Sequence, residues 1–256
     1  MEASYIFKEF LERTIDTKNY ESRSSDILID SSKRENYLFN STINGIEETD
    51  LILLIGTNPR FEATMLNARI RKAYLKNKVK IVSLSDLGDL TYPYQILDGK
   101  TQTIKNIFEN KNELSKQIIE AKKPMIIFGE SFLKSKSAEF LFSSFKNFLL
   151  SNNKFTDDWR PLNFLPSDAA TVGSLDLDII DKKNELIKNL NENKFDLVFL
   201  MGQDNLKFNK KNEFIIYVGS HGDNGAELAD IILPGAAYTE QSGHYTNLEG
   251  KVQKAY

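Results

Sequence analysis

Cysteine is missing from all 256 residues, which excludes disulfides, thiolate zinc sites, cysteine-ligated iron–sulfur clusters and cysteine nucleophiles together. Histidine is scarce: His221 and His244 are the whole supply, too few for a histidine-built metal centre. Charge of one sign is lacking too. The 33 Lys and Arg stand against 36 Asp and Glu, for a formal net charge of -3, so no strong basic field argues for general binding of nucleic acid or anionic membrane. Long apolar runs are missing as well, since segments such as 51–55 and 124–128 fall far short of the roughly 20 residues needed to span a bilayer. The opening residues, MEASYIFKEFLERTIDTKNY, carry acids early and show neither a secretion-signal order nor the arginine-rich, acid-poor look of a transit peptide. No repeat of fixed period and no extended low-complexity segment appears. What remains is ordinary globular composition, with 41% hydrophobic and 27% charged residues, enough for one large domain or two small ones.

Short apolar runs bounded by turn residues recur: Asp50-LILLI-Gly56, Val79-KIVSL, Met125-IIF-Gly129, Asp196-LVFLM-Gly202, Phe214-IIYV-Gly219 and Asp230-IIL-Pro234. Their length and β-branched content read as strands, and near-continuous apolarity without alternation requires cover on both faces. The fold class is therefore α/β, with mostly parallel sheets and crossover helices. Leu66, Ile70, Ala73 and Tyr74 share one helical face, and Ile104, Ile107, Phe108, Leu114, Ile118 and Ile119 suggest a second helical stretch across 100–123. A third, 131–150, carries Phe132, Phe140, Phe142, Phe145 and Phe148 on more than one side, as a buried helix does. The polar text of 151–166, around the lone Trp159, reads as a long loop or a seam between two α/β lobes. A further helix is expected over 175–193.

The most specific local feature is Leu54-Ile-Gly-Thr-Asn-Pro-Arg60. A strand runs into Gly56 and Thr57, then into a helix capped by Asn58 with Pro59 in its first position and Arg60 after it. Such a turn can seat a phosphate on free N–H groups, although every α/β crossover has one and most bind nothing. His221 and Asp223, in His-Gly-Asp-Asn-Gly225, could form a proton-transfer pair, yet the same spacing suits a glycine-rich turn, and no serine elbow accompanies it. His244 reads as a surface residue in a polar loop, and 207–211 as a solvated lysine-rich turn.

Three blocks carry a family resemblance: residues 36–94, which include the Gly56 turn and Leu84-Ser-Asp-Leu-Gly-Asp-Leu-Thr-Tyr92; Ala121-KKPMIIFG; and Ser220-HGDNGAELADIILPGAAYTEQSGHYTNLEGKVQ. In order and spacing they resemble the C-terminal, molybdopterin oxidoreductase-like part of the large iron–sulfur subunit of respiratory complex I, NADH:ubiquinone oxidoreductase. The likeness is dense over 36–94 and 219–253 and thin over 131–195. It implies a partial molybdopterin oxidoreductase-like domain over 1–256, without the cysteine-rich N-terminal region that holds the iron–sulfur clusters, as a split subunit would give. In cofactor-bearing relatives the Gly56-Thr-Asn-Pro59 turn lies against the pterin nucleotide. Where those relatives carry an Asp-Pro-Arg type sequence, this chain reads Leu84 to Tyr92 and lacks the arginine that holds a cofactor phosphate.

The resemblance thus implies a structural, non-redox role in the peripheral arm of complex I, which passes electrons from NADH to ubiquinone coupled to proton pumping. Residues Gly56, Thr57, Asn58, Pro59 and Arg60 would be a vestigial pterin-nucleotide turn. No catalytic residue, metal ligand or cofactor is expected in this chain, and the iron–sulfur clusters belong on a cysteine-rich partner polypeptide. Other peripheral-arm subunits would be further partners, on the matrix side of the mitochondrial inner membrane, with no nucleic acid and no direct membrane span. The alternatives are a cofactor-binding fragment of an active molybdopterin oxidoreductase such as a formate dehydrogenase, and a nucleotide-binding α/β protein, which would lack the G-x-G-x-x-G fingerprint.

Overall fold

A computed structural model describes residues 1–23 and 30–256. The chain opens with helix α1 (Glu2–Arg13), which the sequence reading did not anticipate. It then forms two compact units. One holds the segment up to Val172 together with Asn247–Lys251; the other holds the N-terminal residues, Gly173–Thr246 and Val252–Tyr256.

The first unit is built on five parallel strands: β1 (Leu51–Ile55), β2 (Lys80–Ser83), β3 (Gln95–Ile96), β4 (Pro124–Gly129) and β5 (Leu162–Leu165), in the order β3-β2-β1-β4-β5. Every residue of β1 and β4 is buried, as expected for central strands covered on both faces. The short α2 (Pro59–Glu62) and α3 (Thr64–Asn77) connect β1 to β2, with Leu66, Ile70 and Ala73 packed on Ile52, Leu54, Ile81 and Ile127. Lys78 closes α3 in the left-handed conformation, φ 55°, an ordinary way to stop a helix.

Two expected helices are divided. The stretch 100–123 becomes α4 (Thr101–Phe108) and α5 (Glu113–Glu120), because Asn110 turns left-handed at φ 58° and Asn112 accepts the Leu114 N–H at 2.9 Å to cap a new start. Likewise 131–150 becomes α6 (Glu130–Leu133) and α7 (Ala138–Ser151), separated by the polar residues 134–137. Phe145 and Phe148 of α7 are buried, and the Phe145 ring meets Phe128 at 5.6 Å and Phe108 at 5.9 Å, whereas Phe140 is exposed.

The segment 151–166, read as a loop or seam, contains β5. Its strand, Leu-Asn-Phe-Leu, is fully buried, Asn163 included, and Trp159 is buried with its indole N–H donating to the Pro124 carbonyl at 2.8 Å. The polar residues before the strand masked a run of only four residues. The boundary between the units falls instead inside α8 (Thr171–Asp176).

The second unit carries three parallel strands, β6 (Leu197–Met201), β7 (Phe214–Gly219) and β8 (Ile231–Pro234), in that order, with α10 (Asn224–Leu228) between the last two. The helix expected over 175–193 is confined to α8 and to α9 (Leu186–Asn191). Between them the Asp181 carboxylate gathers the N–H groups of Lys183, Glu185 and Leu186 at 3.0, 2.6 and 2.6 Å, competing with continuous helix. An antiparallel pair, β9 (Gly243–Thr246) and β10 (Val252–Ala255), ends the chain. Its connecting loop belongs to the first unit, where Glu249 accepts the Ile43 N–H at 2.6 Å and Leu248 accepts that of Phe39 at 3.0 Å.

Candidate functional site

In the first unit the chain leaves β1 toward β2 and β3, then returns to add β4 and β5 on the other side. The strand order therefore reverses between β1 and β4, and open α/β sheets bind their ligands at the carboxyl ends of the strands flanking that point. The Gly56 turn stands there, at a place in the strand order that the sequence alone did not assign. Gly56 has φ 63°, and a Cβ on it would lie 2.4 Å from the backbone nitrogen of Phe132 at the start of the β4 crossover. Gly129, opposite, would put a Cβ 2.3 Å from the Gly56 carbonyl oxygen. The two crossover turns are thus in backbone contact, and only glycine permits it.

The local reading of the turn holds: Asn58 caps α2 by accepting the Arg60 N–H at 3.2 Å, and Pro59 follows in first position. The groups that would face a phosphate are engaged within the chain. Glu62 accepts the Asn58 N–H at 3.0 Å on one carboxylate oxygen and the buried Thr57 hydroxyl at 2.6 Å on the other. A side-chain carboxylate thereby holds the position an anion would take. The Phe61 N–H bonds the Asn58 carbonyl at 3.1 Å. Arg60 turns to the loop after β2, pairing with the Asp89 carboxylate at 2.7 Å and the Asp89 carbonyl. The N–H of Thr91 and this guanidinium hold the Asp89 carboxyl below its ordinary range.

That loop is the Leu84 to Tyr92 segment, which replaces the Asp-Pro-Arg type sequence. It is fixed on three sides: Leu87 O accepts the Asn58 amide at 3.1 Å, Leu90 O accepts the Asn67 amide at 3.1 Å, and the Tyr92 hydroxyl donates to Asn67 Oδ1 at 2.7 Å. Burial pushes the Tyr92 phenol up, so it remains a neutral donor to Asn67. Turn and loop together form a self-satisfied arrangement, and the residues present do not fit a pterin-nucleotide phosphate at this point. Sequence reasoning missed Glu62, Asp89 and Phe132. Glu62 carried a signal, an acid four residues after the capping Asn58, close to the spacing of reciprocal helix caps.

The other candidates are not assembled into chemistry. The His221 ring nitrogen Nδ1 meets Ser220 Oγ at 2.9 Å, while Asp223 is the N-cap residue just before α10; no described hydrogen bond joins His221 to Asp223. His244 lies at the surface, as expected, but in β9 and not in a loop, where its ring and its N–H (3.1 Å) engage Glu2 and draw that carboxyl down to about 2. Lys210 and Lys211, expected to be merely solvated, tie down the 207–211 turn by donating to Leu228 O at 3.0 Å and Asn191 O at 2.8 Å. A cavity of about 290 Å³ in the second unit is lined by Glu21, Arg23, Asp181 and Gln203 among others, and its guanidinium is paired with Glu21 at 2.6 Å. Among the described residues no group of three or more His, Asp or Glu is placed to hold a metal ion, and no helix is long and apolar enough to cross a membrane.

Comparison with known proteins agrees with this architecture. Residues 1–256 match the molybdopterin oxidoreductase family. The chain is 37% identical to the NADH-ubiquinone oxidoreductase 75 kDa subunit of Reclinomonas americana, over 99% of this chain and 39% of that protein. It is 40% identical to an NADH-quinone oxidoreductase subunit of Rickettsia conorii, over 100% of this chain and 37% of that protein. With the mitochondrial 78 kDa subunit of NADH-ubiquinone oxidoreductase of Candida albicans it shares 40% identity over 86% of this chain and 30% of that protein. The chain spans well under half the length of these relatives and matches their C-terminal portion. By its parallel sheet, its glycine turn at the switch point and a match along its whole length, this chain belongs to the molybdopterin oxidoreductase family.

Proposed function

We propose that this chain is a structural, non-redox part of the peripheral arm of respiratory complex I, the assembly that moves electrons from NADH to ubiquinone coupled to proton pumping. The observation that carries the reading is Glu62, whose carboxylate closes the Gly56 turn from within. Zero cysteines and the replaced Asp-Pro-Arg sequence point the same way, and the relatives named above are subunits of NADH-quinone and NADH-ubiquinone oxidoreductases. The fragment of an active formate dehydrogenase-type enzyme is disfavoured by the same features. Gly56, Thr57, Asn58, Pro59 and Arg60 are in this reading an inherited scaffold with no ligand to hold.

The iron–sulfur clusters are then held outside these 256 residues, which contain no cysteine. Other peripheral-arm subunits are the chain's neighbours, on the matrix face of the mitochondrial inner membrane. The test is purification of the tagged chain from its own cells, with the copurifying polypeptides identified by mass spectrometry and the eluate assayed for NADH:quinone reduction. Copurified NADH oxidation, with iron in the eluate but neither iron nor molybdenum on the separated chain, supports the reading. A pterin or stoichiometric molybdenum on the chain overturns it.

A further inference from the structure

A crossover helix buries one apolar stripe and turns charged and polar residues to solvent. The inner side of α3 obeys, with Leu66, Ile70 and Ala73 packed on the sheet. Its outer side does not. At about 100° per residue, Met65, Ala68, Arg71, Lys72, Leu75 and Lys76 fall together opposite the buried stripe. All six are exposed, Met65 by 76% and Leu75 by 57%. Met65, Ala68, Lys72 and Leu75 follow the alternating three- and four-residue spacing with which one helix seats another. The charge on this segment has one sign, for between Glu62 and Asp86 stand six basic residues and no acid. Glu47 answers two of them, pairing with Arg69 at 2.7 Å and Lys72 at 2.8 Å. Lys80 donates to Gln117 at 2.5 Å, and Lys78 lies over the Tyr74 ring. Among the described residues Arg71 and Lys76, on either side of the apolar seam, form no ion pair.

We propose that this outer face of α3 docks an acidic amphipathic helix of another polypeptide. Charge selects the occupant: apolar side chains lie opposite Met65, Ala68 and Leu75, and carboxylates answer Arg71 and Lys76. A bilayer fits less well, because Lys72 interrupts the seam that lipid would have to bury. A phosphate backbone would meet the cations but leave Met65 and Leu75 without a contact. The proposal goes beyond the functional reading above and stands on α3 alone.

A chain without cysteine makes the test direct, because an introduced thiol is unique in it. The variant L75C carries that thiol on the outer face of α3, and K116C carries it on α5, where the side chain is 68% exposed. Each tagged chain is purified from its own cells with the polypeptides that accompany it and treated with a maleimide–benzophenone cross-linker. The captured peptide is then sequenced by mass spectrometry. L75C is expected to capture a segment of another polypeptide with apolar residues at helical spacing flanked by Asp and Glu, and K116C is expected not to capture that segment. In an R71E/K76E background the L75C capture should fall at least about tenfold at low salt, while R71K/K76R, which keeps both charges, retains it. Both positions are exposed and outside the core, so these variants fold. Capture of a segment without acids, of lipid, or of a second copy of this chain overturns the proposal, as does no capture by L75C. Capture undiminished by R71E/K76E, or lost equally in R71K/K76R, overturns it as well. Absence of NADH oxidation from the same preparation counts against the functional reading alone.

Discussion

At the scale of single residues, the Gly56 turn is held by its own side chains, so its substitutions should be felt in stability and not in turnover. Asn58 makes two contacts, the α2 cap and the amide bond to Leu87 O. Asn58→Ala is expected to cost about 1 kcal/mol of stability, as lost caps do, with NADH oxidation per mole of assembled complex unchanged. Glu62→Ala should cost more, about 1–3 kcal/mol, because it strands the buried Thr57 hydroxyl and the Asn58 N–H without their acceptor. Denaturant melts of the assembled complex, scored on this chain, rank the two. A variant that assembles normally but turns over slowly would show that the turn takes part in the chemistry.

At the scale of elements, the weak joints lie where side chains compete with helix. Asp181 ends one helical tendency and starts α9. Burial raises its pKa, but the N–H groups of Leu186, Lys183 and Glu185 outweigh that and hold the carboxyl below its ordinary 3.8. A depressed carboxyl stabilises the fold above its unfolded value, and that contribution disappears as pH falls through the folded one. The gap in melting temperature between the native chain and Asp181→Asn should therefore be widest near neutral pH and close below about pH 3.8; a gap independent of pH would remove the charge from the account. Phe145 of α7, wedged between Phe128 and Phe108, is a core residue, and Phe145→Ala should cost about 3–5 kcal/mol. These elements also mark how far the sequence could be read. The strands β1, β2, β4, β6, β7 and β8 were legible as short apolar runs bounded by turn residues, but the cover on both faces expected of them holds for β1 and β4 and fails for β8, whose four residues are all exposed. Strand β5 was hidden by its polar approach, and the helix breaks at Asn110 and Asp181 depend on single side chains bonding backbone, which periodicity does not register. The site was half legible: Gly56 to Arg60 announced a turn and Glu62 stands only four residues after its cap, but closure by the loop after β2 depends on contacts 29 residues apart in the chain.

At the scale of the whole molecule, the relevant quantity is the apolar surface left open. Besides apolar residues of β6, β7 and β8, the chain exposes Ile6 and Phe10 on α1, Phe61 and Met65 beside the Gly56 turn, and Phe140 on α7. All four residues of β8 are exposed, and nothing pairs with its outer edge among the described strands. Apolar strand edges of this kind recruit other chains, whether the right partner or another copy. An interface that covers such surface is of the obligate class, expected to bury more than about 2,000 Å² and to be rich in apolar side chains. These 256 residues expressed alone should accordingly be insoluble or polydisperse, and coexpression with the polypeptides that copurify with them should return them to solution in a stoichiometric complex. The deciding measurement is light scattering and a thermal melt of the chain by itself. A monodisperse monomer that melts cooperatively would mean that its exposed strands are tolerated without a partner, and the obligate interface would have to be abandoned.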